Sequence, residues 1–538
     1  MWNQFQRLDC NYWLLASRHA CDREKIFNDN AIVIVAMNDL ENEKRAGKFT
    51  VSPGKDIYGE LTFCGDRTSL YLRDETNFST HGIANDYIKG CLHDLTKVSL
   101  LRCITISGTG SARQGDESYH FATVFPHFVV YGNDHLGPDD KAIVEVNFAI
   151  DDASTLFYDF DAFGSVINAR AFIDTIARAN SLPRRIETGP SPAILYFTGK
   201  TEIFSTDTVL GSVSASHHPS HTLGGPSGVR LTNTILVKIA FDEPMLFEDS
   251  IRHTLTLLRF LELLVGRPQN IPKMRVRIKS DQIRPVFLNV YWSMRPKREP
   301  SREEERPHPA DVLLDTIRKP EEFSRVLTNW LKRQHAWRNA RAQFASSFAQ
   351  QNRYNADRLV ACANMFDILP DSAVPAHVPL TMAQENARDA SRQMFLALPA
   401  SSERNSVLGA LGRMGKSSLR HKIRHRAELI TAVAADRFPD LETVIDEAVT
   451  CRNYFVHGSD PNFDYGANFD AVNFFTDTLE FVFAASDLIE AGWDLKTWIG
   501  IPTSMSHPFA RFRVGYAESL RKLKDLLPPR VPPTISAG

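Results

Sequence analysis

The residues best suited to chemistry stand in one short run, CRNYFVHG at 451–458. The segment before it carries apolar residues at helical spacing, and Gly458 can take the left-handed conformation that ends a helix. His457 is therefore expected at a helix C-terminus, where the partial negative charge favours the imidazolium form. Asn453, four residues earlier, shares its face. Arg452 lies about 140° further round an ideal helix, so it can meet His457 only through the reach of the arginine, the helix end or a second subunit.

Arginine, asparagine and histidine together suit the cleavage of RNA. The ribose 2′-OH is an internal nucleophile that needs a general acid or base near neutral pH, and histidine supplies one. The phosphorane-like transition state carries extra negative charge, which a guanidinium can bind through two hydrogen bonds. No metal is required when the 2′-OH attacks. The competing interpretation is structural, because a helix-terminal His or a partly buried Arg often only stabilises a fold.

A basic segment precedes this motif. Residues 413–426, RMGKSSLRHKIRHR, contain six Lys or Arg, two His and no acid. Arg420 and Arg424 lie four apart on one face of a predicted helix, and Arg413 and Lys416 stand just before it. These four residues are predicted to guide an RNA backbone, because a basic stripe can follow phosphates. The alternative is an ordinary solvated helix face.

Residues 410–417, ALGRMGKS, loosely match a phosphate-binding loop. Such a loop follows a buried strand and opens a helix, so that backbone N–H groups converge on phosphates. Here alanine replaces the first glycine, and the preceding residues are typical of a helix end followed by a polar loop. A glycine-containing turn between helices is therefore favoured over an NTPase, which would use Lys416 to bind nucleotide.

Three histidines in SHHPSH, His217, His218 and His221, are close enough in sequence to bind a metal. No Cys or acidic residue in the immediate segment completes the ligand set. The prediction is a flexible Ser/His loop between strands, with no metal site and no cofactor.

The composition excludes several classes of protein. The chain has 538 residues, with 62 Lys+Arg against 64 Asp+Glu, and 43% of residues are hydrophobic. This mixture excludes a collagen-like, disulfide-dense or wholly disordered chain, and one that is basic throughout. The seven cysteines never form a CxxC pair, which argues against a zinc site or a disulfide framework. No secretory signal and no run of roughly 18 apolar residues is found, so a soluble, cytoplasmic protein with no membrane partner is predicted.

The hydrophobic period changes near residue 300, which predicts an α+β protein with a β-rich N-terminal half and an all-α C-terminal half. The first half holds β-branched and aromatic strand-like runs, one of them at 194–206, and a helix at 247–266. Residues 295–309, RPKREPSREEERPHP, have four prolines and nine charged residues, as a linker would. The predicted parts are a domain at 1–294 with one or two subdomains, the linker, a helical connector at 310–370, a helical domain at 381–526 and a flexible tail at 527–538. Helices are expected at 310–318, 321–350, 353–368, 382–398, 417–433, 439–456, 468–491 and 507–526.

The segment RNYFVH fits the RxxxxH signature, often with Asn after the Arg, of HEPN-domain ribonucleases. The stretch from SLRHKIRHRAELI to FFTDTLEFVFAASDLI resembles the ApeA-like branch of that family. The N-terminal half is similar, more loosely, to the ApeA N-terminal domain through IYGELTF at 57–63 and YFTGKTEIFS at 196–205. The resemblance implies a HEPN helical bundle that works as a homodimer. Two copies of the motif facing each other across a symmetric seam would also resolve the angular mismatch.

The resemblance further implies a metal-independent ribonuclease of bacterial anti-phage, abortive-infection defence. Arg452 and His457 would then carry catalysis, with Asn453 as the polar residue after the arginine. The RNA targets of the family often include transfer RNA. The N-terminal half would be a sensor or regulatory domain that responds to a phage-derived trigger. The alternative is a HEPN module that binds RNA, nucleotide or a partner protein without cleaving.

Overall fold

A computed structural model describes residues 40–52, 55–78, 87–115, 117–179, 186–222, 228–296, 306–375 and 379–528. The strands are β1 Lys44–Ser52, β2 Lys55–Thr62, β3 Ser69–Asp74, β4 Ile88–Leu92, β5 Lys97–Gln114, β6 Glu117–Gly132, β7 Ile143–Ala149, β8 Phe163–Ile167, β9 Ala193–Phe197, β10 Glu202–Thr208, β11 Gly211–Thr222, β12 Arg230–Met245, β13 Lys273–Ile278 and β14 Val286–Trp292. The helices are α1 Ala153–Leu156, α2 Arg170–Ala179, α3 Phe247–Val265, α4 Pro320–Phe348, α5 Ala356–Asp367, α6 Met382–Leu396, α7 Ser402–Leu411, α8 Leu419–Ala434, α9 Leu441–His457, α10 Phe469–Ala491, α11 Leu495–Gly500 and α12 Pro508–Leu526. The predicted α+β class, with a β-rich first half and a helical second half, is confirmed.

Six antiparallel strands close into a barrel in the first half. β6 pairs with β3, the ladder continues through β2, β1 and β4 to β5, and β5 pairs again with β6. Alternate side chains, among them Phe49, Ile57, Leu72 and Ala122, are buried in the barrel. This period of two is what a closed sheet with a filled interior requires, because successive side chains point to opposite faces.

A second group of strands extends the sheet beyond the barrel. From β6 the order continues through β14, β13, β7, β12 and β11 to β10. Helix α3 packs on this sheet through its contacts with β7 and β12. It ends, as predicted, at Gly266, whose φ of +88° is left-handed. A Cβ at Gly266 would lie 2.4 Å from the ring of His507, so glycine also permits the close approach of the second half.

The two halves share one apolar core along α3. His507, at the start of α12, donates from Nε2 to the Leu263 carbonyl at 3.1 Å and accepts at Nδ1 from the Phe509 N–H at 3.0 Å. Burial lowers the pKa of His507 to about 4, which keeps this imidazole neutral. The backbone N–H of Leu313 also donates to the Leu264 carbonyl. The helical half is therefore attached to the last turn of α3.

Helix α10 is the centre of the helical half and is buried along most of its length. It contacts α4, α5, α8, α9 and α12. Three arginines from three of these helices form bidentate ion pairs with its acidic residues: Arg341 with Asp487, Arg358 with Glu480, and Arg426 with Glu490. Each guanidinium is almost fully buried, so each pair fixes the position of one helix against α10.

The structure differs from the predicted elements in several places. The helix expected at 310–318 is a 3-10 turn, Pro309–Asp311, because the Asp311 carboxylate instead accepts hydrogen bonds from Thr503, Ser504 and Ser506. Helices α7 and α11 were not predicted. The single strand expected at 194–206 is two strands, β9 and β10, separated by a turn at Gly199, whose φ is +86°.

Some predicted segments fall outside the described residues. These are 1–39 of the N-terminal domain, 297–305 of the predicted linker and 529–538 of the predicted tail. Among the helices that the structure does describe, none combines the length and the apolar character needed to cross a membrane.

Candidate functional site

Helix α9 carries the motif to the protein surface. Its apolar residues, among them Val444, Ile445 and Ala448, are buried against the neighbouring helices. The helix ends at His457, and Gly458 caps it in the left-handed conformation with φ +67°. The Gly458 N–H bonds to the Tyr454 carbonyl at 2.9 Å. His457 is exposed at this end, as the sequence predicted.

The structure brings Arg452, Asn453 and His457 into direct contact within one chain. Arg452 Nη1 lies 3.1 Å from His457 Nε2 and donates to Asn453 Oδ1 at 3.1 Å. The long arginine side chain thus spans the angle between residues five apart on the helix. Of the three routes that the sequence left open, this structure shows the arginine's own reach.

The hydrogen bond fixes the protonation of the imidazole in this arrangement. A guanidinium can only donate, so His457 Nε2 accepts through its lone pair. The ring is then neutral, with its proton on Nδ1. An unprotonated Nε2 beside a permanent positive charge is the arrangement that a general base and an anion-binding group require.

Sequence reasoning missed Asn364, which lies on α5. Its Oδ1 accepts a hydrogen bond from Arg452 Nη2 at 3.0 Å. Helix α5 is itself fixed by the buried Arg358–Glu480 ion pair. No signal in a single sequence links Asn364 to the motif, because the two are joined only by the packing of α5 against α9.

The motif is flanked by exposed apolar side chains. Tyr454, Phe455 and Val456, three consecutive residues, are all exposed. Tyr454 and Phe455 also stack on the buried Tyr465 ring, with centroids 5.4 Å and 6.3 Å away. The thiol of Cys451, on the buried face, has its pKa raised to about 12 by burial, so it is not a nucleophile at neutral pH.

The four basic residues predicted to guide RNA fall into two groups. Arg424 makes a bidentate ion pair with Asp446 on α9, and Arg420 approaches the same carboxylate at 3.4 Å. Arg420 also lies 3.3 Å from the Thr450 hydroxyl, so it extends along α9 towards the motif. Arg413 and Lys416 are exposed in the turn before α8.

The segment 410–417 is a turn between α7 and α8, as favoured from the sequence. A helix precedes it in place of the strand that a phosphate loop requires. The backbone N–H groups of Arg413, Met414 and Lys416 bond to carbonyls within the turn, so they do not converge on an open site. The NTPase interpretation therefore has no structural support in this segment.

The predicted Ser/His loop is wrong, because His217, His218 and His221 lie in strand β11. Successive residues point to opposite faces, so the side chains of His217 and His218 diverge. His217 is buried and accepts a hydrogen bond at Nδ1 from Asn233 at 2.9 Å. Burial lowers the pKa of His218 to about 4. No group of three or more potential metal ligands occurs among the residues that the structure describes.

Comparison with known proteins agrees with both halves of the structure. Residues 38–330 match the family described as ApeA N-terminal domain 1, and residues 360–497 match the family described as Apea-like HEPN. No curated protein and no solved structure matches the chain. The HEPN match spans α5 to the first residues of α11 and includes Asn364 and the whole Arg452–His457 motif. Together the two matches show that this chain belongs to the ApeA-like HEPN proteins.

Proposed function

We propose that the chain is a metal-independent HEPN endoribonuclease acting in anti-phage abortive infection. The observation that carries the proposal is the contact of Arg452 Nη1 with His457 Nε2 at an exposed helix end. The family match supports a nuclease-type role in defence. Cleavage by this chain, its mechanism and its RNA target are the parts proposed here.

In the proposed reaction the ribose 2′-OH attacks the adjacent phosphorus. His457 Nε2 accepts the 2′-OH proton as a general base while the bond from phosphorus to the 5′-oxygen breaks. A proton delivered to that oxygen completes the step and leaves a 2′,3′-cyclic phosphate and a 5′-OH. The nucleophile comes from the substrate itself, so the step needs neither a metal-bound water nor a covalent enzyme intermediate.

Arg452 has to change its partner when RNA binds. In the free protein its Nη1 occupies the lone pair that the base needs. A phosphate is a stronger acceptor for a guanidinium than a neutral imidazole, because the hydrogen bond then joins two ions. Nη1 would turn to a non-bridging phosphate oxygen and release Nε2, while Nη2 stays on Asn364. Asn453 would orient the arginine or the substrate.

A second copy of the chain would complete the site. HEPN domains typically dimerise, and exposed Tyr454, Phe455 and Val456 lie directly beside His457. A symmetric seam through this apolar surface would bury it and bring two motifs together. The partner's His457 could then protonate the leaving 5′-oxygen.

RNA would approach the motif along α8. Arg413 and Lys416 offer exposed charges, and Arg420 and Arg424 can turn from Asp446 to phosphates. Transfer RNA is one candidate substrate, as in other members of the family. The N-terminal half would act as the sensor or regulatory domain for a phage-derived trigger, and the protein would work in the cytoplasm.

The test compares the wild type with His457→Ala, both purified as full chains. The wild type is expected to cut RNA in the presence of EDTA and to arrest growth when expressed in bacteria, and His457→Ala is expected to do neither. His425→Ala is the matched control, because His425 is exposed on α8 and pairs only with Glu428 among the described residues. Cleavage retained by His457→Ala would contradict the site assignment. RNA that is bound but never cut by the wild type would instead support the non-catalytic binding module.

A further inference from the structure

The outer wall of the barrel carries a line of aromatic and basic side chains. Lys48 on β1 is opposite Tyr58 on β2, Tyr58 is opposite Arg73 on β3, and Arg73 is opposite Phe121 on β6. Directly opposed residues share one face of a sheet. Their chain neighbours are buried in the barrel, so these four side chains are on the outside.

The rings and cations on this wall contact one another. Lys48 Nζ lies 5.0 Å from the centre of the Tyr58 ring, and the Arg73 guanidinium lies 3.9 Å from that of Tyr119. Tyr71 stacks on Phe121 at 6.4 Å, with 26° between the ring planes. Tyr58 and Tyr71 are 60% and 43% exposed, which is high for such large side chains. We call this surface the aromatic ladder; it consists of Lys48, Tyr58, Tyr71, Arg73, Tyr119 and Phe121.

The charges of the ladder are not neutralised within the described part of the chain. There, neither Lys48 nor Arg73 has an acidic partner. Nearby cations differ: Lys44 pairs with Glu60 at 2.9 Å, and Lys55 lies 3.7 Å from Asp74. Two positive charges are therefore available to an anion that lies across the rings.

One ring of the ladder is held in place by a glycine. The Phe121 side chain lies over Gly110 of β5, where a Cβ would be only 2.5 Å from the ring. Any larger residue at Gly110 would displace Phe121. The sheet thus holds one stacking surface in position before a ligand arrives, which lowers the entropic cost of binding.

We propose that the aromatic ladder binds single-stranded nucleic acid. Bases would stack on Tyr58, Tyr71 and Phe121, and Lys48 and Arg73 would contact phosphates. This combination of π faces and backbone cations is how sheet surfaces bind single strands without reading sequence. A protein partner fits less well, because the centres of protein interfaces are depleted in lysine. The ladder is a second binding surface in the N-terminal half, and it does not depend on cleavage at His457.

The experiment measures binding of full-length protein to a fluorescein-labelled DNA single strand of about 12 nucleotides, within the range of such footprints. DNA lacks the 2′-OH, so the proposed cleavage chemistry cannot destroy it. A 2′-O-methyl RNA of the same sequence forms the second arm, and the tighter of the two identifies the natural strand. Tyr58→Ala/Tyr71→Ala is expected to weaken binding at least tenfold, because each lost stack is worth about 1–3 kcal/mol.

Salt dependence tests the role of the cations separately. Lys48→Ala/Arg73→Ala is expected to flatten the plot of log affinity against log salt by about 1.4, roughly 0.7 for each lost phosphate contact on a single strand. Lys44→Ala removes a cation that already pairs with Glu60, and Tyr196→Ala removes an exposed tyrosine from β9. Both controls are expected to bind like the wild type. All variants are compared at equal melting temperature by circular dichroism.

Two outcomes would overturn the proposal. Ladder variants that bind as tightly as the wild type would show that the strand lies elsewhere. A duplex of the same length that binds as tightly as the single strand would exclude stacking, because paired bases cannot reach the rings. Repeating the comparison in the Arg452→Ala background removes affinity at the motif. Ladder binding retained in that background, whatever happens to cleavage, separates this inference from the proposed nuclease.

Discussion

Asn364 and Arg452, which are 88 residues apart in the chain, are joined by a hydrogen bond from Arg452 Nη2 to Asn364 Oδ1 at 3.0 Å. The bond leaves Nη1 of the same guanidinium directed at His457. Because α5 is fixed to α10 by the Arg358–Glu480 pair, the position of the motif arginine is set by the core of the helical half. Asn364 is therefore a positioning residue for Arg452.

Asn364→Ala is expected to lower kcat about tenfold with little change in KM, because a hydrogen bond to a charged group contributes roughly 1.5–3 kcal/mol. Asn364→Asp keeps an acceptor for Nη2 and should recover most of the activity. Asn462→Ala, which removes an exposed asparagine bonded to Glu447, is the control. Steady-state cleavage kinetics provide the measurement. Equal losses in the alanine and aspartate variants would contradict a positioning role.

Asp446→Asn is expected to strengthen RNA binding about threefold and to steepen its salt dependence. The change releases Arg424 and Arg420 from the carboxylate they share, and each cation gained for phosphate contact adds about 0.7–0.9 to the slope. Anisotropy in a His457→Ala background keeps the RNA intact. Glu428→Gln, which frees only His425, should leave both values unchanged. Weaker binding by Asp446→Asn would show that the ion pairs serve only the fold.

Val456→Glu is expected to convert a dimer into monomers and to abolish cleavage, because a carboxylate cannot be buried unpaired in an apolar seam. Val433→Glu on α8 is a matched control, since both valines are 41% exposed. Sedimentation velocity of the two variants and the wild type gives the oligomeric state directly. A Val456→Glu protein that stays dimeric would place the seam away from the motif.

Asp477 predicts a pH dependence of stability. Burial, and next the charge of Glu480, raises the pKa of Asp477 to about 7, although the Tyr354 hydroxyl and the Arg358 and Arg511 charges act in the opposite direction. Between about pH 4 and 7 the folded protein holds a proton that the unfolded chain has lost, so this group's contribution to stability falls as pH rises through that window.

Asp477→Asn removes this titration. Relative to the wild type, its unfolding free energy is expected to rise by up to about 4 kcal/mol between pH 4 and 8, since one pKa unit corresponds to about 1.4 kcal/mol. Urea unfolding of both proteins at these two pH values measures the change. A difference between the two proteins that is the same at both pH values would contradict the raised pKa.

The sequence predicted the helix that carries the motif but not the contacts that complete it. Helical periodicity and Gly458 located the end of α9, and so the exposure of His457. The Arg452–His457 contact could not be decided, because ideal helix geometry separates the two residues and only the side-chain conformation joins them. Asn364 had no signal at all, since it depends on how α5 packs against α9.

The elements that were missed also have physical causes. Helix α7 has no buried residue, so the apolar periodicity that would reveal it is absent. Segment 310–318 has helical spacing, but hydrogen bonds from 503–506 to Asp311 hold its first residues in a short 3-10 turn. The His217–His221 segment lacks the apolar alternation of a strand, and its pairing with β12 alone places it in the sheet.

The most direct test of the account is the chemistry of the RNA ends that the wild-type protein produces in EDTA. Attack by the 2′-OH, with His457 as base and Arg452 on the phosphate, predicts 2′,3′-cyclic phosphate and 5′-OH ends, and no such ends with His457→Ala. Products with 3′-OH and 5′-phosphate ends would show that water is the nucleophile and would contradict the proposed mechanism.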